Sequence, residues 1–144
     1  FSIATTNKVF NSPAFLDHNN TFYVFFSDDS GILYAVDTDG NALEGWPVDA
    51  GQVITKSVAF ADLDNDGSAE IIAVTELTDM LAYNLDGSHH EGFPMNNEFP
   101  FTAAPMVSHQ VLVRRHHSAE QAHLKPVRKL VKGEILSVTT LGQD

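Results

Sequence analysis

Ala35-Val36-Asp37-Thr38-Asp39-Gly40-Asn41-Ala42-Leu43-Glu44-Gly45-Trp46-Pro47-Val48 is matched, 47 residues later and without a gap, by Ala82-Tyr83-Asn84-Leu85-Asp86-Gly87-Ser88-His89-His90-Glu91-Gly92-Phe93-Pro94-Met95. Six of the 14 positions are identical, and Trp46 faces Phe93 as Val48 faces Met95. Asp-Gly and Gly-aromatic-Pro are common turn text, but shared order and spacing point to an internal repeat. Upstream, Ala14-Phe15-Leu16-Asp17 resembles Ala59-Phe60-Ala61-Asp62 at an offset of 45. Downstream, Ala104-Pro105-Met106-Val107 stands where a third copy should open. Periods of 40–50 residues signal propeller or solenoid architecture.

The apolar runs inside the repeat decide between strands and helices. Phe22-Tyr23-Val24-Phe25-Phe26, Ile32-Leu33-Tyr34-Ala35-Val36, Ile71-Ile72-Ala73-Val74 and Met80-Leu81-Ala82-Tyr83 are short, aromatic or branched, and bounded by turn residues. That pattern predicts strands. The runs are continuous rather than alternating, which predicts burial on both faces. Ser27 to Gly31 and Glu76 to Asp79 join runs into hairpins, and Asp39-Gly40 and Asp86-Gly87 supply turns in which Gly takes positive φ. The expected fold is therefore all-β, with four short strands per unit as in a β-propeller blade. The first blade spans roughly residues 12–50, the second 54–97, and a third begins near Phe101. Two to three blades cannot close a ring of four or more, so the chain is expected to be a partial propeller that assembles with further blades or with copies of itself.

Just ahead of the apolar run Ile71 to Val74 lies Asp62-Leu63-Asp64-Asn65-Asp66-Gly67-Ser68-Ala69-Glu70. Three carboxylates alternate over five residues before a Gly that permits a sharp turn. Ca²⁺ takes six to eight hard oxygen ligands at ~2.3–2.6 Å. Alternation puts Asp62, Asp64 and Asp66 on the inside of one loop, where the Ser68 carbonyl, the Glu70 carboxylate and water can complete a shell. An EF-hand would require Glu at position 12 and a helix to follow. Position 12 is Ala73, inside an apolar strand run, so an EF-hand is rejected. The competing reading is a solvated acidic turn with no metal.

The stretch Ala59 to Ile72 resembles the calcium loop of FG-GAP/VCBS-type repeats, the blades of integrin-α-like propellers and of many secreted bacterial proteins. The Gly-Trp-Pro and Gly-Phe-Pro elements resemble the end of such a repeat in bacterial versions. The resemblance covers roughly residues 12–107. It implies a Ca²⁺ ligand set of the Asp62, Asp64 and Asp66 side chains, the Ser68 carbonyl and Glu70, where the family more often has Asp. The matching loop of the first unit, Asp17-His18-Asn19-Asn20-Thr21, is shorter, with one carboxylate and no Gly. Ser108-His109-Gln110-Val111-Leu112-Val113 in the third has no acid at all. One calcium site is expected, not three.

Charge divides the 144 residues in two. Of 19 acids, 16 fall in residues 1–107 beside only Lys8 and Lys56, a local net charge of −14. Residues 108–144 carry six bases against three acids and hold four of the seven histidines. This basic, His-rich segment is expected to be an irregular C-terminal tail. A divergent third blade and a reading-frame change would each produce it. Within it, Gln110 to Val113 and Ile135 to Thr140 could form strands, and Ser118-Ala119-Glu120-Gln121 has the form of a capping box opening a short helix that Pro126 ends. His116, Glu120 and His123 would share a face of that helix, but their order matches no known zinc helix. Lys125 to Lys132 reads as a solvated face.

These features bound function. There is no Cys, so disulfides, thiolate zinc sites and a Cys nucleophile are excluded. The acidity argues against nucleic acid as a partner and for cations. No run approaches the ~20 apolar residues of a membrane span. No nucleophile elbow, metal-peptidase helix or paired catalytic acids stand out. His89 and His90 read as solvent-facing loop residues. The expectation is a noncatalytic, calcium-binding propeller segment of a larger secreted or cell-surface protein, serving adhesion, scaffolding or binding of a protein or glycan ligand. The alternative is an accessory propeller of a secreted calcium-dependent carbohydrate-active enzyme or peptidase. A quinoprotein-like propeller is disfavoured, because no cofactor pocket is legible.

Overall fold

The structure, a computed structural model, describes residues 1–109, 124–131 and 134–141. The described residues contain strands and turns and no α-helix. Two four-stranded antiparallel sheets carry most of the chain, and neither closes on itself. The first is built in chain order from β1 (Ala14–His18), β2 (Thr21–Ser27), β3 (Ile32–Asp37) and β4 (Val48–Asp49). The second repeats that order with β5 (Ala59–Ala61), β6 (Glu70–Val74), β7 (Asp79–Tyr83) and β8 (Met95–Asn96). The apolar runs thus form the inner strands β2, β3, β6 and β7.

Pairings recur at the sequence offset. Phe26 pairs with Tyr34 and Ala73 with Leu81; Leu33 pairs with Val48 and Met80 with Met95. The isolated bridges Val36 to Ala42 and Tyr83 to His89 are likewise 47 apart. The turn between them closes by the Gly40 N–H on the Asp37 carbonyl (3.1 Å) and the Gly87 N–H on the Asn84 carbonyl (3.0 Å). Both glycines sit in the left-handed region, at φ 88° and 82°. The Trp46–Pro47 and Phe93–Pro94 bonds are both cis.

The two sheets pack face to face. Phe25, Leu33, Ala35 and Trp46 of the first unit meet Ile71, Ala73, Leu81 and Tyr83 of the second in one buried cluster. Phe25 stands edge-on to Trp46 and to Phe60, with centroids 5.2 and 5.1 Å apart. The Trp46 indole N–H donates to the Leu85 carbonyl across the interface (2.8 Å), so its polar handle is satisfied. Backbones also meet there. A Cβ on Gly45 (φ +86°) would lie 1.8 Å from the Asp86 carbonyl oxygen, and one on Gly87 2.4 Å from that of Gly45. Both turns therefore need glycine for space as well as for φ. The far face of the second sheet, Ile72, Val74, Met80 and Ala82, is covered by Phe93, Phe101 and Val107. β6 is accordingly buried along its whole length.

Beyond residue 105 the observed structure departs from an irregular tail. β9 (Met106–His109), β10 (Leu124–Val131) and β11 (Glu134–Leu141) form a three-stranded antiparallel sheet in the order β10-β11-β9. Ile135 to Thr140 is a strand, as its β-branched content predicts. Pro126 ends no helix; it pairs with Thr139 inside β10. β10 is an edge strand, where a residue without an N–H is tolerated. The capping box at Ser118 to Gln121, the run Gln110 to Val113 and the trio His116, Glu120 and His123 lie outside the described residues.

Candidate metal centre

β1 and β2 are joined by a tight turn through Asn19 and Asn20, both at positive φ (52° and 59°), the geometry of a two-residue hairpin turn. The equivalent connection between β5 and β6 is the acidic stretch, Asp62 to Ala69. Asn65 (φ 67°) and Gly67 (φ 92°) coil it, and its own carboxylates hold the coil. Asp62 accepts the Asp66 N–H on Oδ1 (3.1 Å) and the Gly67 N–H on Oδ2 (3.0 Å). Asp64 Oδ1 accepts the Asp66 N–H (3.0 Å), and Asp66 Oδ1 accepts the Ser68 N–H (2.7 Å). These bonds turn three like charges toward one another. Asp62, Asp64 and Asp66 each offer an oxygen, and the three atoms lie within 4.8 Å of one another. Leu63, between them, points into the core and is 2% exposed, which fixes the alternation of side chains along the loop.

Glu70 opens β6 and is 2% exposed. It accepts the Leu63 N–H on Oε2 (2.5 Å), tying the strand to the loop. Burial pushes its carboxyl up to about 7; the Leu63 N–H acts downward, and the charges of Asp64, Asp62 and Asp66 push it further up. Asp64 and His90 stand beside it, with donor atoms that fall within 4.8 Å of each other and of its own. Asp64 is therefore common to two groups: an outer one of three aspartates and an inner one of Asp64, Glu70 and His90. Ser68 is half-buried at the end of the loop.

His90 corrects the sequence-based expectation. It is 8% exposed, with its N–H on the Ala82 carbonyl (2.9 Å) and its ring near that of Phe93. His89 is exposed as expected and lies over Tyr83, with centroids 4.7 Å apart. The repeat carried the missing signal: His90 occupies the position of Leu43, which packs against the core.

The outer group could hold a cation. Its donors are carboxylate oxygens on a loop shaped by its own hydrogen bonds, and oxygen is what Ca²⁺ selects. No protein-family model matches the chain, and a search of curated proteins finds no similar sequence.

Proposed function

We propose that the chain is a noncatalytic, calcium-binding segment of a β-propeller belonging to a larger secreted or cell-surface protein, in which it serves adhesion, scaffolding or binding of a protein or glycan ligand. The observation that carries this reading is the convergence of Asp62, Asp64 and Asp66 within 4.8 Å at the joint between two strands. Two face-packed four-stranded sheets repeating at a fixed offset support the propeller part of it. Bound Ca²⁺ would neutralise the carboxylates and cross-link the loop. Asp62, Asp64 and Asp66 would hold it, with the Ser68 carbonyl and Glu70 as further candidate ligands. Extracellular modules bind Ca²⁺ with Kd of about 10⁻⁴–10⁻³ M.

Chelation and re-addition test this. At a hundredfold excess over Kd, Ca²⁺ should raise the midpoint of thermal unfolding by roughly 5–10 °C above the value in EDTA. Asp62→Ala should abolish that rise. An unchanged midpoint, or an equal rise in the variant, refutes the calcium reading.

A further inference from the structure

The inner group differs in chemistry from the loop around it, because it contains a nitrogen donor. Asp64 comes from the loop, Glu70 from the first position of β6, and His90 from the segment between β7 and β8. Three separate elements thus converge. Glu70 is buried, His90 is largely so, and Asp64 is exposed.

The state of the His90 ring follows from a chain of hydrogen bonds outside the group. Ser88 Oγ donates to the Asp86 carboxylate at Oδ1 (2.5 Å), which uses the only proton of that hydroxyl. Ser88 Oγ must then accept from Asn84, whose Nδ2 lies 2.9 Å away. This orients the Asn84 amide and turns its Oδ1 to His90 Nδ1, at 2.9 Å. An amide oxygen can only accept, so Nδ1 carries a proton, and Nε2 is the ring nitrogen left to face a ligand. The arrangement is that of a metal-ligating imidazole whose other nitrogen is fixed by a second layer of partners. The turn that builds this layer is itself held by the Asn84 N–H on the Ser88 carbonyl (2.8 Å) and the Gly87 N–H on the Asn84 carbonyl (3.0 Å).

We propose that Asp64, Glu70 and His90 form a binding site for a borderline transition dication of the Zn²⁺ class, through two carboxylate oxygens and His90 Nε2. Imidazole favours such ions, whereas Ca²⁺ takes oxygen. Three ligands at about 2.0–2.2 Å leave the fourth position of a tetrahedral ion to solvent. Asn84 is a positioning residue, since it acts through the His90 ring. The site does not require the calcium reading to hold: Asp62 and Asp66 belong to the outer group alone, and His90 to the inner alone.

The full chain, stripped with a chelator, would be titrated with Zn²⁺ while the seven imidazoles are followed by ¹H–¹⁵N correlation. One equivalent should move the His90 Nε2 resonance and preserve its Nδ1–H. Excess Ca²⁺ should leave that shift in place. His90→Ala should weaken this equivalent at least tenfold by calorimetry, and Asn84→Ala tenfold to a hundredfold. A combined His116→Ala, His117→Ala and His123→Ala variant should leave it unchanged. Shifts confined to the other six histidines, or displacement of His90-bound Zn²⁺ by Ca²⁺, overturn the proposal. The His90 resonance in the wild-type chain gives this answer even if His90→Ala unfolds. Calcium stabilisation lost in Asp62→Ala with the His90 shift retained shows two separable sites. Calcium stabilisation without any His90 shift leaves the calcium reading intact and removes this one.

Discussion

Tyr83 is 1% exposed, and its hydroxyl has no hydrogen-bond partner among the described residues. Burial pushes its pKa up to about 12, with the charge of Asp49 adding to the shift. Tyr83 stands 47 residues after Val36, a side chain that needs no partner. A buried hydroxyl without a partner forfeits its hydration, at about 1–3 kcal/mol. Tyr83→Phe keeps the ring against Trp46 (6.1 Å between centroids) and deletes only the oxygen. Its stability to urea should equal the wild type or exceed it by about 1 kcal/mol; a clear loss would show that the hydroxyl has a partner in solution. The same logic marks what a sequence reveals at this scale. Carboxylates spaced by two announce themselves, because few other arrangements would tolerate that charge. His90 does not, since two adjacent histidines beside an Asp-Gly turn look like solvated surface. Only its alignment with the apolar Leu43 reveals that the position faces inward.

Each sheet is clamped at its central hairpin by the segment that precedes it. Val9 bridges to Asp28 and Ile54 to Thr75, while the Asp29 N–H reaches the Lys8 carbonyl (2.9 Å) and the Glu76 N–H that of Val53 (3.0 Å). The two clamps use different side chains at one position. Thr75 donates to Gln52 Oε1 (2.7 Å) and accepts the Asp79 N–H (3.1 Å). Asp28, 2% exposed, accepts from Thr6 Oγ1, Tyr34 Oη and the Asn7 N–H on Oδ2, and from the N–H groups of Ser30 and Ile32 and the Ser30 hydroxyl on Oδ1. Burial alone would raise its pKa, but the donors from Ser30, Thr6 and Ile32 win and hold the carboxyl well below the ordinary carboxylate range. The folded state therefore binds this proton more weakly than the unfolded chain. Its stabilisation is fully present above the ordinary value of 3.8 and is lost as pH falls below it toward the folded value. Asp28→Asn should cost about 1–3 kcal/mol at neutral pH. Thermal melts between pH 5 and 2, taken at roughly half-unit steps, should show a shallower acid loss in the variant than in the wild type. Parallel profiles would count against this role. At the level of elements the inner strands were legible, since a short aromatic or branched run between turn residues has few other uses. The clamps were not, because single bridges leave no periodicity. The strand through Pro126 was not either, because its tolerance depends on an edge position that only the assembled sheet defines.

Across the whole molecule the repeat sets two faces against each other and leaves a third without an equivalent cover. Phe60, Ile71, Ala73, Leu81 and Tyr83 form the face of the second sheet that packs on the first. Their counterparts in the first sheet are Phe15, Val24, Phe26, Tyr34 and Val36, which by strand alternation face away from that interface. Tyr34 and Val36 are buried, with Thr6 bonded to the Tyr34 hydroxyl, but Phe15 is 64% exposed and Phe22, on the same face, 57%. One surface is thus present twice, covered by a sheet in one copy and partly open in the other. If the chain is a run of propeller blades, another sheet of the same kind belongs on this face, and a second copy of the chain is the nearest available substitute. Sedimentation of the purified chain should then show concentration-dependent self-association. Phe15→Lys with Phe22→Lys should suppress it, because two ammonium groups cannot be desolvated there without partners. Both side chains are exposed, so the double variant should change monomer stability by no more than about 1 kcal/mol. A wild-type chain that stays monomeric at the highest concentration reached, or a double variant that associates equally, would show that this face needs no such cover.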